Sequence, residues 1–467
     1  MAGGYKSARA AALNMAAIRP PSVRAALDVI GALRTYNLCE DLLRYVAKLG
    51  DPEGMSIPLL LGIARNFSAL NMQGRALTLL DEARRGDPDY PPVLLARAQV
   101  LVYMGRVAEA RADILRCLAR APEIAHGWWL LSHLERQTSA SNHVGHIQGQ
   151  LEVIGRNRGD VALLQNALHK ELDDIGAYDQ AWCALEEFCS AKRSTITYDS
   201  SESSALVDSL ISMPVHSSSR SVDDGPTPIF IVGMHRSGTT LLEQLLDASP
   251  QVRCIGELYD FTNAMRLAAD HHCRGVVDGV LVDRARSLSM DEVGRHYLDG
   301  ILWRLQGERF FTDKLPSNFL NIGFICAALP KAKIIHMVRD PLETCFSNLR
   351  ELFSEANPYS YDQNELAHYF SQYRRLMEHW HSIWPERILD VSYADLIRDP
   401  EMVMRGVSDF CGLDYIPSMC DPRNSMRAVA TASAVQVRGQ IVSRDAPKWM
   451  PYADNLKSLI LALRQNQ

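Results

Sequence analysis

The sequence predicts a chain in two parts: an all-α repeat region, then an α/β region built as a P-loop-like doubly wound parallel sheet. Three observations predict it. Proline, leucine and alanine positions recur at a fixed offset in the stretch before Arg193. After Pro228, apolar runs of strand length alternate with helical stretches. Between the first such run and the first such helix lies a glycine-bounded loop, in "IFIVGMHRSGTTLLEQLLD" from Ile229.

The helical region comes first. "LLARAQVLVYMGRVAEARADILRCLARAPE" carries small residues at Ala98, Gly105 and Ala110 and ends near Pro122, the pattern of a tetratricopeptide repeat. Pro88 precedes Pro122 by the length of one such repeat, about 34 residues. The same offset relates Leu61, Leu95 and Trp129, Ala64 and Ala98, and Ala76 and Ala110. Small residues let paired helices approach closely, and proline stops the second helix. The stretches from Leu42 and Leu163 read as diverged copies; the plainer reading is generic helical hairpins. The helical region is expected over 20–193. A Ser- and Asp-rich linker follows over 194–227, with a short helix around Ala205–Ile211.

The α/β region is expected over 228–467. "IFIVG" (229–233), "IIHMV" (334–338) and "ILDVSY" (388–393) suit buried parallel strands. Helices are expected at 239–248, 317–329, 341–353, 363–383 and 399–411. That alternation argues for a doubly wound sheet.

Composition narrows the partners. The net charge of −6 disfavours a general nucleic-acid binder. The ten cysteines form no CxxC pair and no zinc-type cluster, so reduced thiols in a cytoplasmic protein are expected. The Ala-rich N-terminus is interrupted by Arg9 and Arg19 and makes a poor signal peptide. No apolar run is long enough to span a bilayer, so no transmembrane helix is expected.

The loop after Gly233 suits an anion. Gly233 and Gly238 permit a tight turn whose N–H groups point inward, at a helix N-terminus that favours negative charge. Ser237, Thr239 and Thr240 add hydroxyls, and Arg236 adds a planar fork for phosphate. A nucleotide-hydrolysing loop has the pattern GxxxxGK[ST], and here the Lys position is Thr239. A triphosphate would lack its usual cation.

"GMHRSGTTLLEQLL" resembles the 5′-phosphosulfate loop of sulfotransferases, which bind 3′-phosphoadenosine 5′-phosphosulfate (PAPS). The likeness is to bacterial tetratricopeptide-repeat sulfotransferases and, more distantly, to tyrosylprotein sulfotransferases. Many of these relatives carry Pro where this chain has His235, whose role stays open. The resemblance runs from 228 to about 455 and implies further contacts in the same order. In "VRCIGELYDF", Glu257 matches the acidic general base; a hydroxyl attacking sulfur must pass its proton to such a group. In "FFTDKLPSNF", Lys314 matches a cation that offsets charge on the sulfuryl group and bridging oxygen. In "IIHMVRDPLETCFSNLREL", Arg339 and Ser347 match a 3′-phosphate element. Asp340 alternatively reads as a metal-binding Asp after an apolar strand. Tyr393 matches a nucleotide contact, with a core aromatic as the other reading. In "TASAVQVRGQIVSRDAPKWMPY", Ser433 and Lys448 match a nucleotide-contacting pair, with Arg438 and Arg444 adding positive charge.

The resemblance implies a PAPS-dependent enzyme acting on an acceptor hydroxyl without a metal. The acceptor it points to is a protein or peptide tyrosine, held with help from the repeats. A carbohydrate or lipid-linked hydroxyl is the alternative, and a P-loop kinase or NTPase a more distant one. Catalysis falls to Glu257, Arg236 and Lys314. Donor binding falls to Arg236, Ser237, Gly238, Thr239, Thr240, Arg339, Ser347, Tyr393, Ser433 and Lys448.

Overall fold

The computed structural model describes residues 4–214, 225–425, 427–431, 439 and 446–465. Helices fill the chain up to Ile211. Four hairpins reverse on a residue in the left-handed conformation: Asn37 (φ 52°), Asn71 (φ 60°), Gly105 (φ 77°) and Gly176 (φ 79°). Each turn closes with the same long return bond, Leu38 N to Leu33 O, Met72 N to Phe67 O, Arg106 N to Leu101 O and Ala177 N to Leu172 O, at 2.8–2.9 Å. This is the glycine- or asparagine-favouring helix stop in which the second residue past the cap donates back. The first three turns, at Asn37, Asn71 and Gly105, are evenly spaced by the offset that the sequence predicts. The spacing then breaks, because a longer connection at 135–143, pinned by the Thr138–Ser141 bridge, replaces the tight turn. Ala64, Ala76, Ala98 and Ala110 are all buried where paired helices meet.

Two boundaries differ from expectation. A helix, Tyr5–Ala16, precedes residue 20. The helix expected at 205–211 begins at Ser200, because Asp199 accepts the Ser201 N–H and caps it. It is no free linker: Val207 and Leu210 are buried, and Ser204 Oγ lies 3.0 Å from His368 Nε2 on helix Gln363–Ile383.

The α/β region holds five strands: β1 (Thr227–Gly233), β2 (Val252–Cys254), β3 (Phe310–Asp313), β4 (Lys333–Val338) and β5 (Ile388–Ser392). All pair in parallel, in the order β2-β3-β1-β4-β5. Both faces are covered. Ile229, Ile231, Ile335 and Met337 pack with Leu242 and Leu245 on one side. Phe230, Val232 and Ile334 join a core on the other side that continues into the helical region. Burial on both faces explains why the central strands read as continuous apolar runs. The chain leaves β1 to one side and crosses from β3 to β4 to the other, so the carboxyl edge at β1 is a switch point where ligands gather.

Candidate active site

The sheet places the main candidates at this carboxyl edge, each just after a strand. The loop follows β1, Glu257 follows β2, Lys314 follows β3, Arg339 follows β4 and Tyr393 follows β5. A parallel sheet brings these ends together although the chain visits them in five separate passes.

The loop is strained in the way a ligand cradle is. Gly233 (φ 150°) and Gly238 (φ 108°) both lie where L side chains are rare. A Cβ on Gly233 would stand 2.8 Å from Met337 O, and one on Gly238 2.4 Å from Tyr393 Cδ2. Arg236 is also left-handed (φ 68°), a conformation that costs a non-glycine residue roughly 1 kcal/mol or more. Helix Thr239–Leu246 starts at Gly238 without a side-chain cap, so its first N–H groups face the loop. Ser237 is 1% exposed, and its Oγ has no hydrogen-bond partner among the described residues. A buried hydroxyl without a partner costs about 1–3 kcal/mol. Beside uncapped N–H groups, it suits an anion that would satisfy it.

Arg236 and Arg339 are interlocked. Arg339 Nη1 donates to Arg236 O at 3.2 Å, pairs with Glu343 at 3.0 Å, and stacks its guanidinium 4.3 Å over the Tyr393 ring. Tyr393 therefore wedges between Gly238 and Arg339 while packing on the edge of the apolar layer. Arg236 Nε donates to Ser347 Oγ at 3.2 Å, and Nη1 lies 3.4 Å from Glu351. The sequence reading puts Arg236 at one phosphate group and Ser347 at another; here the two side chains touch. A single contact joins them, because the left-handed backbone at Arg236 turns its side chain toward helix Pro341–Leu349. Asp340 caps that helix, accepting the Glu343 N–H at 2.8 Å.

On the other flank, Lys314 is fully buried and donates to Glu257 Oε1 at 2.5 Å; the Glu257 side chain is 36% exposed. Lys314 N also donates to Gly256 O at 3.2 Å, which sets the two loops side by side. Gly256 N donates to the buried Glu243 Oε1 at 3.0 Å, and Thr312 Oγ1 donates to the same oxygen at 2.8 Å. Glu243 thus ties the loop helix to the Glu257 segment. The site therefore has an anion cradle at one end and a carboxylate–ammonium pair at the other, the latter half open to solvent.

His235 faces inward. Its ring nitrogens lie 3.2 Å from Tyr359 OH and 3.3 Å from Ser317 Oγ, and its carbonyl accepts from Asn348 Nδ2 at 2.7 Å. Burial, then the charges of Lys314 and Arg236, push its pKa down to about 4, so the imidazole is neutral at pH 7. Behind the loop, Tyr373 OH bonds His336 Nε2 and is engaged by the Met234 backbone. His336, His381 and Asp390 form the one group with metal-ligand spacing among the described residues, within 4.8 Å of one another. Asp390 Oδ1 lies 2.8 Å from His336 Nδ1 and 2.9 Å from His381 Nε2.

Of the closing segment, Ser433, Arg438 and Arg444 lie outside the described residues. Lys448 is exposed, and its charge reaches Asp173 in the helical region. Asp173 also accepts from Tyr452 OH at 2.6 Å and lies 3.5 Å from Arg350. Sequence reasoning missed Glu243, Tyr359, Asn348 and Ser317, whose partners are distant in the chain. Glu243 carried a signal, as an acidic residue three positions past Thr240 on the loop helix's otherwise apolar side.

Residues 228–417 match the model of the sulfotransferase family. An uncharacterized protein of Aquifex aeolicus (strain VF5) is 27% identical over 406 residues, covering 84% of this chain and 52% of that one. Protein-tyrosine sulfotransferase 2 of Gallus gallus is 28% identical over 203 residues, covering 40% of this chain and 51% of that one. The chain thus spans about half the length of these curated relatives. Among solved structures, the sulfotransferase domain from the Synechococcus PCC 7002 olefin synthase is 19% identical. It covers 53% of this chain and 98% of that one at a TM-score of 0.32. No helix among the described residues is long and apolar enough to cross a membrane.

Proposed function

We propose that the chain transfers a sulfuryl group from PAPS to an acceptor hydroxyl, with a protein or peptide tyrosine as the acceptor. The observation that carries this reading is the pairing of an unsatisfied anion cradle at Ser237 with the Lys314–Glu257 pair on the same sheet edge. The residues fit the donor: its charge suits the Ser237 hydroxyl, the uncapped helix start at Gly238–Thr240, and the forks of Arg236 and Arg339. Ser347 and Tyr393 complete that side, and Ser433 and Lys448 are assigned to the donor on the resemblance alone.

In the reaction a new bond forms between acceptor oxygen and sulfur while the bond from sulfur to the bridging oxygen breaks, releasing adenosine 3′,5′-bisphosphate. Glu257 takes the acceptor's proton. Lys314, buried and aimed at the same point, offsets charge gained by the departing group without reorganising water. Arg236 shares that task. No step calls on a metal ion, because these side-chain cations stand where one would act. The hydrolase Lys is Thr239 here, which disfavours a kinase.

Tyrosine as acceptor draws on the named relatives and on the helical hairpins, which we read as diverged tetratricopeptide repeats able to hold an extended peptide. The test is transfer of radiolabelled sulfate from PAPS into tyrosine-containing peptides and, in parallel, into oligosaccharides. Label in peptide that is lost when Tyr becomes Phe supports the reading. Label in oligosaccharide alone replaces the acceptor, and label in neither overturns the activity.

A further inference from the structure

We propose that the helical region forms part of the catalytic site, with Asn71 acting as a positioning residue for Glu257. The inference rests on the sulfuryl-transfer reading for Glu257's role, but its contacts stand independently.

Asn71 sits at the left-handed position between helices Ile57–Ala69 and Gln73–Gly86. The turn itself needs only a residue that tolerates this conformation; the equivalent turn of the next hairpin uses Gly105. The Asn71 side chain is therefore available for another task. Its Nδ2 donates to Ile255 O at 2.9 Å, two residues before Glu257. It also presses on Gly256, where a Cβ would stand 2.9 Å from that same nitrogen. Gly256 (φ 79°) has to be glycine on both counts.

The segment before Glu257 is thus held from three directions. Glu243 of the loop helix takes the Gly256 N–H, Lys314 N after β3 donates to Gly256 O, and Asn71 holds Ile255 O. The first two belong to the α/β region and the third comes from 184 residues away. The neighbouring turns act on the same stretch. Asn37 Nδ2 donates to Asp260 Oδ1 at 3.0 Å, and Arg304 Nη1 donates to Leu70 O at 2.9 Å. Tyr103, at the end of helix Pro91–Tyr103, lies within the field of Glu257; burial and then that charge raise its phenol pKa. Its carbonyl accepts from Val429 N at 2.7 Å. Three turns at a fixed spacing therefore meet residues 255–260 and Val429 with directed polar contacts. Apolar packing would suffice to hold two domains together. Hydrogen bonds to backbone atoms beside the proposed base fix where its carboxylate stands, and misplacement on the order of 1 Å can cost about a hundredfold in rate.

The experiment uses the full chain with Asn71→Gly, which keeps the left-handed turn and deletes the amide. Amide hydrogen exchange is expected to quicken about fivefold across 252–260 and to stay unchanged across 239–246. Turnover is expected to fall at least tenfold with the affinity for adenosine 3′,5′-bisphosphate kept within about twofold. The acidic limb of the pH–rate profile is expected to move, which a purely structural loss would not cause. Asn71→Asp, which tolerates the same turn and replaces the Nδ2 donor by an acceptor, is expected to quicken the same exchange and lower turnover, and serves if Asn71→Gly misfolds. Unchanged exchange across 252–260, or an unchanged pH profile and turnover in both variants, overturns the inference. A wild-type chain that transfers no sulfuryl group overturns the activity instead, and the exchange arm alone then decides whether Asn71 holds the segment.

Discussion

The helical and α/β regions both use left-handed backbone, and they use it differently. At Asn37, Asn71, Gly105 and Gly176 the conformation ends a helix, and each turn recovers a return hydrogen bond of 2.8–2.9 Å. At Gly233, Arg236 and Gly238 three such residues crowd one loop around a buried hydroxyl with no partner among the described residues. Buried charge shows the same contrast. Arg97 in the helical region is 6% exposed and fully engaged, 2.5 Å from Asp113 and 2.6 Å from Asp81. Lys314 is equally buried but pairs with a carboxylate that is partly open to solvent. Tyr45 OH and His169 Nε2 in the helical region are also buried without a partner among the described residues, so it is the crowding of left-handed backbone and a helix start around Ser237 that sets the loop apart.

The largest expected effect is on chemistry. Glu257→Gln is expected to lower turnover by about 10²–10⁴-fold with the calorimetric affinity for adenosine 3′,5′-bisphosphate unchanged. A turnover that survives would place the base elsewhere. Next comes Arg97→Met, which leaves Asp113 buried without its closest partner. It is expected to cost about 3–5 kcal/mol in urea unfolding while the refolded variant binds the nucleotide normally. Loss of binding without loss of stability would erase the contrast between the regions.

Arg339→Ala is expected to weaken bisphosphate binding by roughly 1.5–3 kcal/mol, the range for a hydrogen bond to a charged group. The weakening is expected to be smaller toward an adenosine 5′-phosphate that lacks the 3′ group. The smallest effect is on pH dependence. His133 and His235, one in each region, are pushed down to about 4 by burial. The unfolded chain titrates these rings near 6.5, so between about pH 6.5 and 4 it binds more protons than the folded one, and stability falls as pH drops through that window. His235→Asn is expected to flatten part of the fall in urea midpoint between pH 7 and 5, and an unchanged slope would remove His235 from the account.

Local features were legible from sequence. The glycine loop, helix Gln363–Ile383 and the strands at Ile229, Ile334 and Ile388 depend on neighbours in the chain. The short β2 (Val252–Cys254) cannot show a period, and the helices between Asp260 and Ile301 carry no motif. The contact between Arg236 and Ser347 was hidden because an arginine at positive φ cannot be anticipated from its type. Asn71 was hidden for another reason, since its partner is 184 residues distant. A signal existed even so: Asn37, Asn71 and Gly105 keep the repeat offset, which marks a shared edge of the hairpins.

The most direct test of the central claim is calorimetric titration of the full chain with adenosine 3′,5′-bisphosphate and, separately, with ATP and Mg²⁺. The account predicts tighter binding of the bisphosphate, with the margin shrinking in Arg339→Ala. Tighter ATP binding, or no bisphosphate binding at all, would contradict it.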